Sequence, residues 1–367
     1  MFINLVAPIN QLGYGVVGLN ILKALVELGH TVSLFPIGEI KVENSRPLIE
    51  LVQKCVSNAA FFMPDAPSIR IWHQHDLAMF PGKGRRIGWP IFELDKFTDQ
   101  EGHHLSNVDE LWVCSKWAKD VIVANHIGVP TKVVPLGVDH SVFYRDAAAG
   151  NARPYDTRSK TVFINVGKWE VRKGHNELLE AFNKAFEPTD NVELLMVNDN
   201  PFIGLENEQW AAKYITSKNG ALIKIMPRVQ SQNELRALFN QVDWGVFPSH
   251  AEGWNLEPLE LMACGVPSIL TDYSGHTQFA SELNSLRLPI TGKAPAIDGK
   301  WFNGQGHWAS FSVDTLASLL KRAHHITHFG QHDGKGHNEW SDETLKSSRI
   351  WSWENTARLV VEELHAG

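Results

Sequence analysis

The chain has 367 residues, of which 43% are hydrophobic and 20% charged, with a formal net charge of −7. That length suits two domains of ordinary size, and that balance excludes a disordered chain. The acidic charge weighs against a surface that traps polyanions non-specifically, no apolar run reaches the length of a membrane span, and Met1–Phe2–Ile3–Asn4 reads as a first strand rather than a signal peptide.

Short apolar runs alternate with amphipathic stretches, which predicts parallel sheets flanked by helices. Residues 2–7 read as a strand, followed by the turn Gly13–Tyr14–Gly15 and a helix to Leu28. Strands are expected at Thr31–Phe35, Ile69–Gln74 and Asp109–Ser115, with a loop through Pro81, Gly82 and Gly84. Lys132–Pro135 leads to the turn Leu136–Gly137–Val138–Asp139. A composition break at Asp146–Lys160 reads as an interdomain linker. Alternation then restarts with strand Thr161–Val166, helix Asn176–Phe186 and strand Val192–Val197. Strand Leu222–Ile225, helix Gln232–Asn240 and strands Trp244–Phe247 and Ser268–Thr271 follow. The tryptophans of the closing amphipathic helix, from Trp351 to Leu364, are read as packing residues. Three scattered cysteines, Cys55, Cys114 and Cys264, suit buried thiols in a reducing compartment, so a cytoplasmic location is expected.

The most informative stretch runs from Phe247 to Pro267. An apolar run ends at Ser249, a turn with Gly253 carries Glu252, and a helix follows with Glu260 near its start. Free N–H groups at such a helix start form an anion site. Two carboxylates beside it suit a ligand with a phosphate and several hydroxyls. A bland alternative is that first-turn acids only complement the helix dipole, and Glu257 is read that way. Glu252 and Glu260, with Gly253 and the terminal Gly265–Val266–Pro267, resemble the donor-site signature of retaining glycosyltransferases of the GT-B fold, the family 4 group. The family pattern is Glu, seven residues, Glu, a helix end rich in alanine and glycine, then Gly-x-Pro.

The resemblance implies an α/β fold of GT-B type: two Rossmann-like domains facing a central cleft, with a C-terminal helix crossing back to the first. The first, acceptor-side domain is expected over 1–148 with the final helix, about 350–367. A linker over 149–160 would lead to the nucleotide-sugar domain over 161–349. Ligands in such sheets sit beyond the carboxyl ends of the strands.

In Asn165–Val166–Gly167–Lys168–Trp169–Glu170–Val171–Arg172–Lys173–Gly174, glycines allow close backbone approach and lysines supply positive charge for a diphosphate. Lys173 matches the family lysine on the donor phosphates. Lys168 stands where the family has arginine, and it lacks the bidentate fork. Arg172 is read either as a surface residue or as a partial substitute. The family places the turn at Arg228–Val229–Gln230–Ser231 against the nucleobase. It carries no acid suited to guanine, so a UDP-sugar, such as UDP-glucose, is favoured over a GDP-sugar. Donor binding is expected from Lys168, Lys173, Arg228, Val229, Glu252, Gly253, Trp254, Asn255, Leu256 and Glu260.

On the acceptor side, Gly13, Tyr14 and Gly15 resemble the family's glycine loop. Gly13, Gly15 and Gly18 also have dinucleotide-fingerprint spacing, but the ribose-binding acid that an oxidoreductase needs is poorly placed. Trp72–His73–Gln74–His75–Asp76 closes a strand, and His75 matches the family histidine near donor sugar and acceptor. The segment also resembles phage α-glucosyltransferases that modify hydroxymethylcytosine in DNA, with Lys83, Arg85 and Arg86 following where acceptor phosphates could be held. Those three read equally as a solvated loop, and His73 as a core histidine. No Asp-x-Asp, His-Glu-x-x-His, paired Cys-x-x-Cys or Gly-x-Ser-x-Gly occurs, so neither a metal nor a cofactor is required. His324, His325, His328, His332 and His337 lack a ligand pattern and are read as part of a glycine-containing loop.

The sequence is thus read as a retaining, metal-independent hexosyltransferase. Lys173, Glu252, His75 and Asp76 are the candidate catalytic residues. The acceptor is expected to be a glycan or lipid-linked sugar, with hydroxymethylated DNA as an alternative. A further alternative is a non-catalytic protein that binds nucleotide sugars or glycans.

Overall fold

The computed structural model describes residues 1–146, 160–229, 231–329 and 336–366, with the side chain of residue 329 excepted. Gln230, His332 and nearly all of the expected linker lie outside them. The chain divides into two compact units, Met1–Asp139 with Trp351–Gly367, and His140–Ile350. The division falls before the composition break rather than within it.

The first unit holds a six-stranded sheet: β1 (Phe2–Ala7), β2 (Thr31–Pro36), β3 (Ser68–Trp72), β4 (Arg86–Pro90), β5 (Glu110–Val113) and β6 (Thr131–Val133). Its order is β2-β1-β3-β4-β5-β6, and every pairing is parallel. Buried on both faces, such strands read as continuous apolar runs, as β1 and β5 do. The strand expected to reach Gln74 stops at Trp72, and Asp76 N–H turns back to the His73 carbonyl. Strand β4 was not expected. It is short, and Gly88 sits in its middle, so its apolar pattern is weak.

The final helix, Trp353–Ala366, belongs to this unit and packs on the helix Gly13–Glu27. Thr356 Oγ1 donates to the Pro135 carbonyl at 2.9 Å, and Val138 pairs with Ser352 in an isolated bridge. Trp353 is buried, as a packing residue should be.

The second unit holds β7 (Thr161–Gly167), β8 (Val192–Asn198), β9 (Ile223–Met226), β10 (Trp244–Phe247), β11 (Ser268–Thr271) and β12 (Ser285–Leu288). These too are parallel, in the order β12-β11-β10-β7-β8-β9. Phe163, Trp169, Phe182, Trp244 and Trp340 anchor its core. An antiparallel ribbon, β13 (Ile290–Ile297) with β14 (Asn303–Phe311), follows β12.

Candidate functional site

The chain enters the second sheet at β7, builds outward through β8 and β9, then crosses back to lay β10 on the other side of β7. That reversal is a switch point, where the loops after two neighbouring strands part and leave room for a ligand at the carboxyl edge. The loop after β7 carries Lys168 to Lys173, and the loop after β10 carries Ser249 to Asn255. The topology therefore brings the two expected donor elements together across about 80 residues of sequence.

Glu252, 4% exposed, is the centre of this junction. Its carboxylate accepts from Arg172 Nη1 at 2.8 Å, Lys173 Nζ at 3.0 Å and Ser249 Oγ at 2.8 Å. Burial alone would raise its pKa, but Arg172 and then Lys173 hold it well below the ordinary carboxylate range. Burial likewise pulls Lys173 down, yet Glu252 and Glu257 leave its pKa raised, so it stays charged. Arg172 is buried, which corrects its reading as a surface residue: it also donates to the Ala251 carbonyl at 2.6 Å and to Glu170 at 2.8 Å. Lys168 pairs with Glu170 at 2.5 Å and stays partly exposed. Three cations are thus ion-paired with two carboxylates, Glu170 and Glu252.

Gly174 makes this packing possible. It is left-handed at φ 70°, and a Cβ there would lie 2.0 Å from the Pro248 carbonyl oxygen.

Glu260, on the helix Leu256–Ala263, is 8% exposed, and its carboxylate has no hydrogen bond or ion pair among the described residues. Burial, with Glu257 adding, raises its pKa to about 8. Of the other expected donor residues, Gly253 and Trp254 are buried within the turn, and Leu256 opens the helix. Arg228 and Val229 follow β9 at the same carboxyl edge, half-buried.

Several residues of this junction were missed in the sequence. Ser274 Oγ accepts from Glu252 N–H at 2.8 Å, and Gly275 N–H donates to the Glu252 carbonyl at 2.9 Å. His276 meets Asn255 at 2.9 Å. Both Asn255 and Ser274 have positive φ, at 79° and 55°. Serine at 274 does not announce that backbone, and asparagine at 255 only tolerates it better than most residues. The one available signal was Gly275 after strand β11.

In the first unit the switch point lies between β1 and β3. Gly13 and Gly15 open the helix Gly13–Glu27 there, and the Tyr14 ring lies 5.4 Å from Trp72 and 4.6 Å from His73. Tyr14 Oη donates to the Ile91 carbonyl, and burial pushes its pKa well up. His73 stacks on the exposed His75 at 5.1 Å, so His73 is a half-buried wall of this edge rather than core. Asp76 pairs with Arg70 at 2.8 Å, and Gln74 donates to Glu101 at 2.8 Å.

The expectation for Lys83, Arg85 and Arg86 is corrected. Arg86 is the first residue of β4, in register with Ser68 at the start of β3, so the trio lies at the amino edge, away from His75. Lys83 pairs with Asp65 at 3.3 Å, Arg86 with Asp109 at 2.9 Å, and Arg85 donates to the Glu363 carbonyl at 2.8 Å. Acceptor phosphates beside His75 do not describe them: Lys83 and Arg86 are exposed, as a solvated loop would have them, and only Arg85 is half-buried. The parallel crossover carries the chain back to the opposite end of the sheet.

His324, His325 and His328 lie on the helix Val313–Phe329 rather than in a loop, and two of the described histidines of the 324–337 region have structural partners. His324 bonds Thr161 Oγ1 at 2.8 Å, and His337 bonds the Asp243 carbonyl at 3.1 Å.

Two parallel Rossmann-like sheets, the switch-point cluster and the returning final helix define a GT-B fold. By that fold and by the sequence of its second unit, the chain is similar to the GT-B glycosyltransferases. Residues 160–289 match the family model described as glycosyl transferases group 1. The chain is 30% identical over 144 residues to a D-inositol 3-phosphate glycosyltransferase of Segniliparus rotundus, covering 39% of this chain and 32% of that protein. It is 22% identical over 192 residues to a GDP-mannose-dependent alpha-(1-6)-phosphatidylinositol dimannoside mannosyltransferase of Mycobacterium tuberculosis, covering 52% of this chain and 48% of that one. The chain thus spans a third to a half of the length of these relatives. Among solved structures it is similar in fold to a sucrose-phosphate synthase of Thermosynechococcus elongatus, with TM-score 0.71, 16% identity and 100% of both chains covered. Anabaena HepE, solved with UDP and glucose, matches with TM-score 0.68, 14% identity and the same coverage.

Proposed function

We propose that this protein transfers a sugar from a nucleotide-sugar donor to a hydroxyl acceptor with retention of anomeric configuration. The observation that carries the reading is the Arg172–Lys173–Glu252 cluster at the second switch point, with the Glu260 carboxylate, unpaired among the described residues, on the adjoining helix. Lys173, Lys168 and Arg172 supply positive charge where a diphosphate leaving group gathers negative charge. Preorganised groups of this kind are worth roughly 3–4 kcal/mol each in a transition state. Glu260 accepts from the ribose hydroxyls and Glu252 from the sugar. The bond from the anomeric carbon to the phosphate oxygen breaks, and the acceptor oxygen bonds that carbon from the same face. The acceptor proton passes to a donor phosphate oxygen, so neither a protein nucleophile nor a metal takes part. His75 orients the reactants and Asp76, held by Arg70, assists.

A UDP-sugar is favoured because residues 228–231 contain no acid to read guanine. The mycobacterial relative is named for GDP-mannose, so both nucleotides belong in the screen. A glycan or lipid-linked acceptor is supported by the inositol-based acceptors in the relatives' names. The buried free thiols of Cys55, Cys114 and Cys264 support a reducing, cytoplasmic setting, and no helix among the described residues is long and apolar enough to cross a membrane.

The test incubates the protein with UDP-glucose and GDP-mannose, with inositol phosphate and oligosaccharide acceptors, with and without EDTA, and reads the product by NMR. An α-linked product and free nucleoside diphosphate, unaffected by EDTA, are expected. A β-linked product would contradict retention, and activity abolished by EDTA and restored by Mg²⁺ would contradict metal independence.

A further inference from the structure

Asn255 is 7% exposed and opens the helix Leu256–Ala263 at φ 79° and ψ 97°. Asparagine tolerates this left-handed backbone better than most residues, and glycine tolerates it best. Its amide faces His276, which is 1% exposed. His276 Nδ1 lies 3.2 Å from the Thr271 carbonyl oxygen, which can only accept, so Nδ1 carries the proton. Burial lowers the pKa of this imidazole to about 4, so at neutral pH Nε2 is a bare acceptor. Nε2 lies 2.9 Å from Asn255 Nδ2, which therefore donates. Flipping the amide would set two acceptors face to face. The imidazole thus fixes the amide one way round and turns Oδ1 away from itself. Oδ1 is buried with no hydrogen-bond donor among the described residues.

A buried carbonyl oxygen without a donor calls for one from a ligand. It cannot bond a phosphate oxygen, because both would be acceptors at neutral pH. It can take a hydroxyl proton. The same turn carries Glu252, and that turn is clamped to the next loop by Ser274 Oγ and Gly275 N–H.

We propose that Asn255 reads a hydroxyl of the donor sugar through Oδ1, and that His276 is the positioning residue that holds the amide in that orientation. This rests on the nucleotide-sugar reading of the site and adds a side-chain contact specific to the sugar. The phosphates fall to the cations and the ribose to Glu260, so Asn255 should discriminate a nucleotide sugar from the bare nucleotide.

The test measures binding of UDP, GDP, UDP-glucose and GDP-mannose by titration calorimetry. Asn255→Gly removes the amide and suits the backbone, so the protein should fold. It should bind the bare nucleotide within about twofold of wild type and the accepted nucleotide sugar about tenfold more weakly, the weight of one hydrogen bond. His276→Phe should give the same selective loss, and the double substitution no further loss. His276→Gln, whose carbonyl can accept from Asn255 Nδ2, should restore most of it. Unchanged nucleotide-sugar affinity in Asn255→Gly would overturn the proposal, and so would an equal loss for bare nucleotide and nucleotide sugar, which marks a structural role. If the wild type binds none of the four, the donor-site reading itself fails and takes this inference with it.

Discussion

Glu260 and Glu252 are both buried carboxylates, yet their surroundings push them in opposite directions. Glu252 sits between two cations and stays charged, whereas Glu260 has none, and its pKa rises to about 8. The sign of the second effect can be worked out. An acid whose pKa is raised in the folded state binds more protons folded than unfolded, so stability falls as pH rises through the window between its ordinary value of 4.5 and about 8. Each pH unit inside that window costs up to about 1.4 kcal/mol. Glu260→Gln should therefore match wild type in thermal stability near pH 4.5 and exceed it increasingly toward pH 8, while binding nucleotide more weakly. A stability gap that stays flat with pH would show that Glu260 is solvated.

At the scale of elements, the site is made by loops that only the topology brings together. Gly174 illustrates how tight the junction is, with its left-handed φ of 70° and no room for a Cβ against Pro248. Gly174→Ala should destabilise the protein by at least about 1–2 kcal/mol from backbone strain alone. Melting curves would register this, and an unchanged midpoint would count against the observed geometry. The pair of acids at 252 and 260 was legible because a helix start after a strand leaves a spacing that survives in one dimension. So was Lys173, beside glycines that bracket a turn. Ser274, Gly275 and His276 were not, because their role depends on a positive-φ backbone at Ser274 and on contact with a turn some 20 residues earlier. Strand β4 was missed for its weak apolar pattern, and that error misplaced the basic trio.

For the whole molecule, parallel topology assigns chemistry to one edge of each sheet and leaves the other edge to structure. Most of the strands were readable as apolar runs, but which edge a charge occupies depends on where each crossover ends. Lys83, Arg85 and Arg86 sit on the amino edge with Asp65, Glu110 and Asp109 as partners. Replacing all three by alanine should leave transfer rates within about twofold and instead lower stability modestly, since the exposed ion pairs of Lys83 and Arg86 are worth about 0–1 kcal/mol each and the half-buried Arg85–Glu110 pair is long, at 3.8 Å. A large loss of acceptor affinity in that variant would contradict the edge assignment. The central claim is that the carboxyl edge of the second sheet holds a nucleotide sugar. It is tested most directly by titrating UDP, GDP and their sugars into wild type, Lys173→Ala and Glu260→Ala, with folding checked by circular dichroism. At least one nucleotide sugar should bind wild type; Lys173→Ala should bind it at least about tenfold more weakly, as the loss of a charged hydrogen bond requires, and Glu260→Ala about tenfold more weakly, the weight of one hydrogen bond. Equal affinity in all three proteins, or no binding to wild type by any member of the panel, would contradict it.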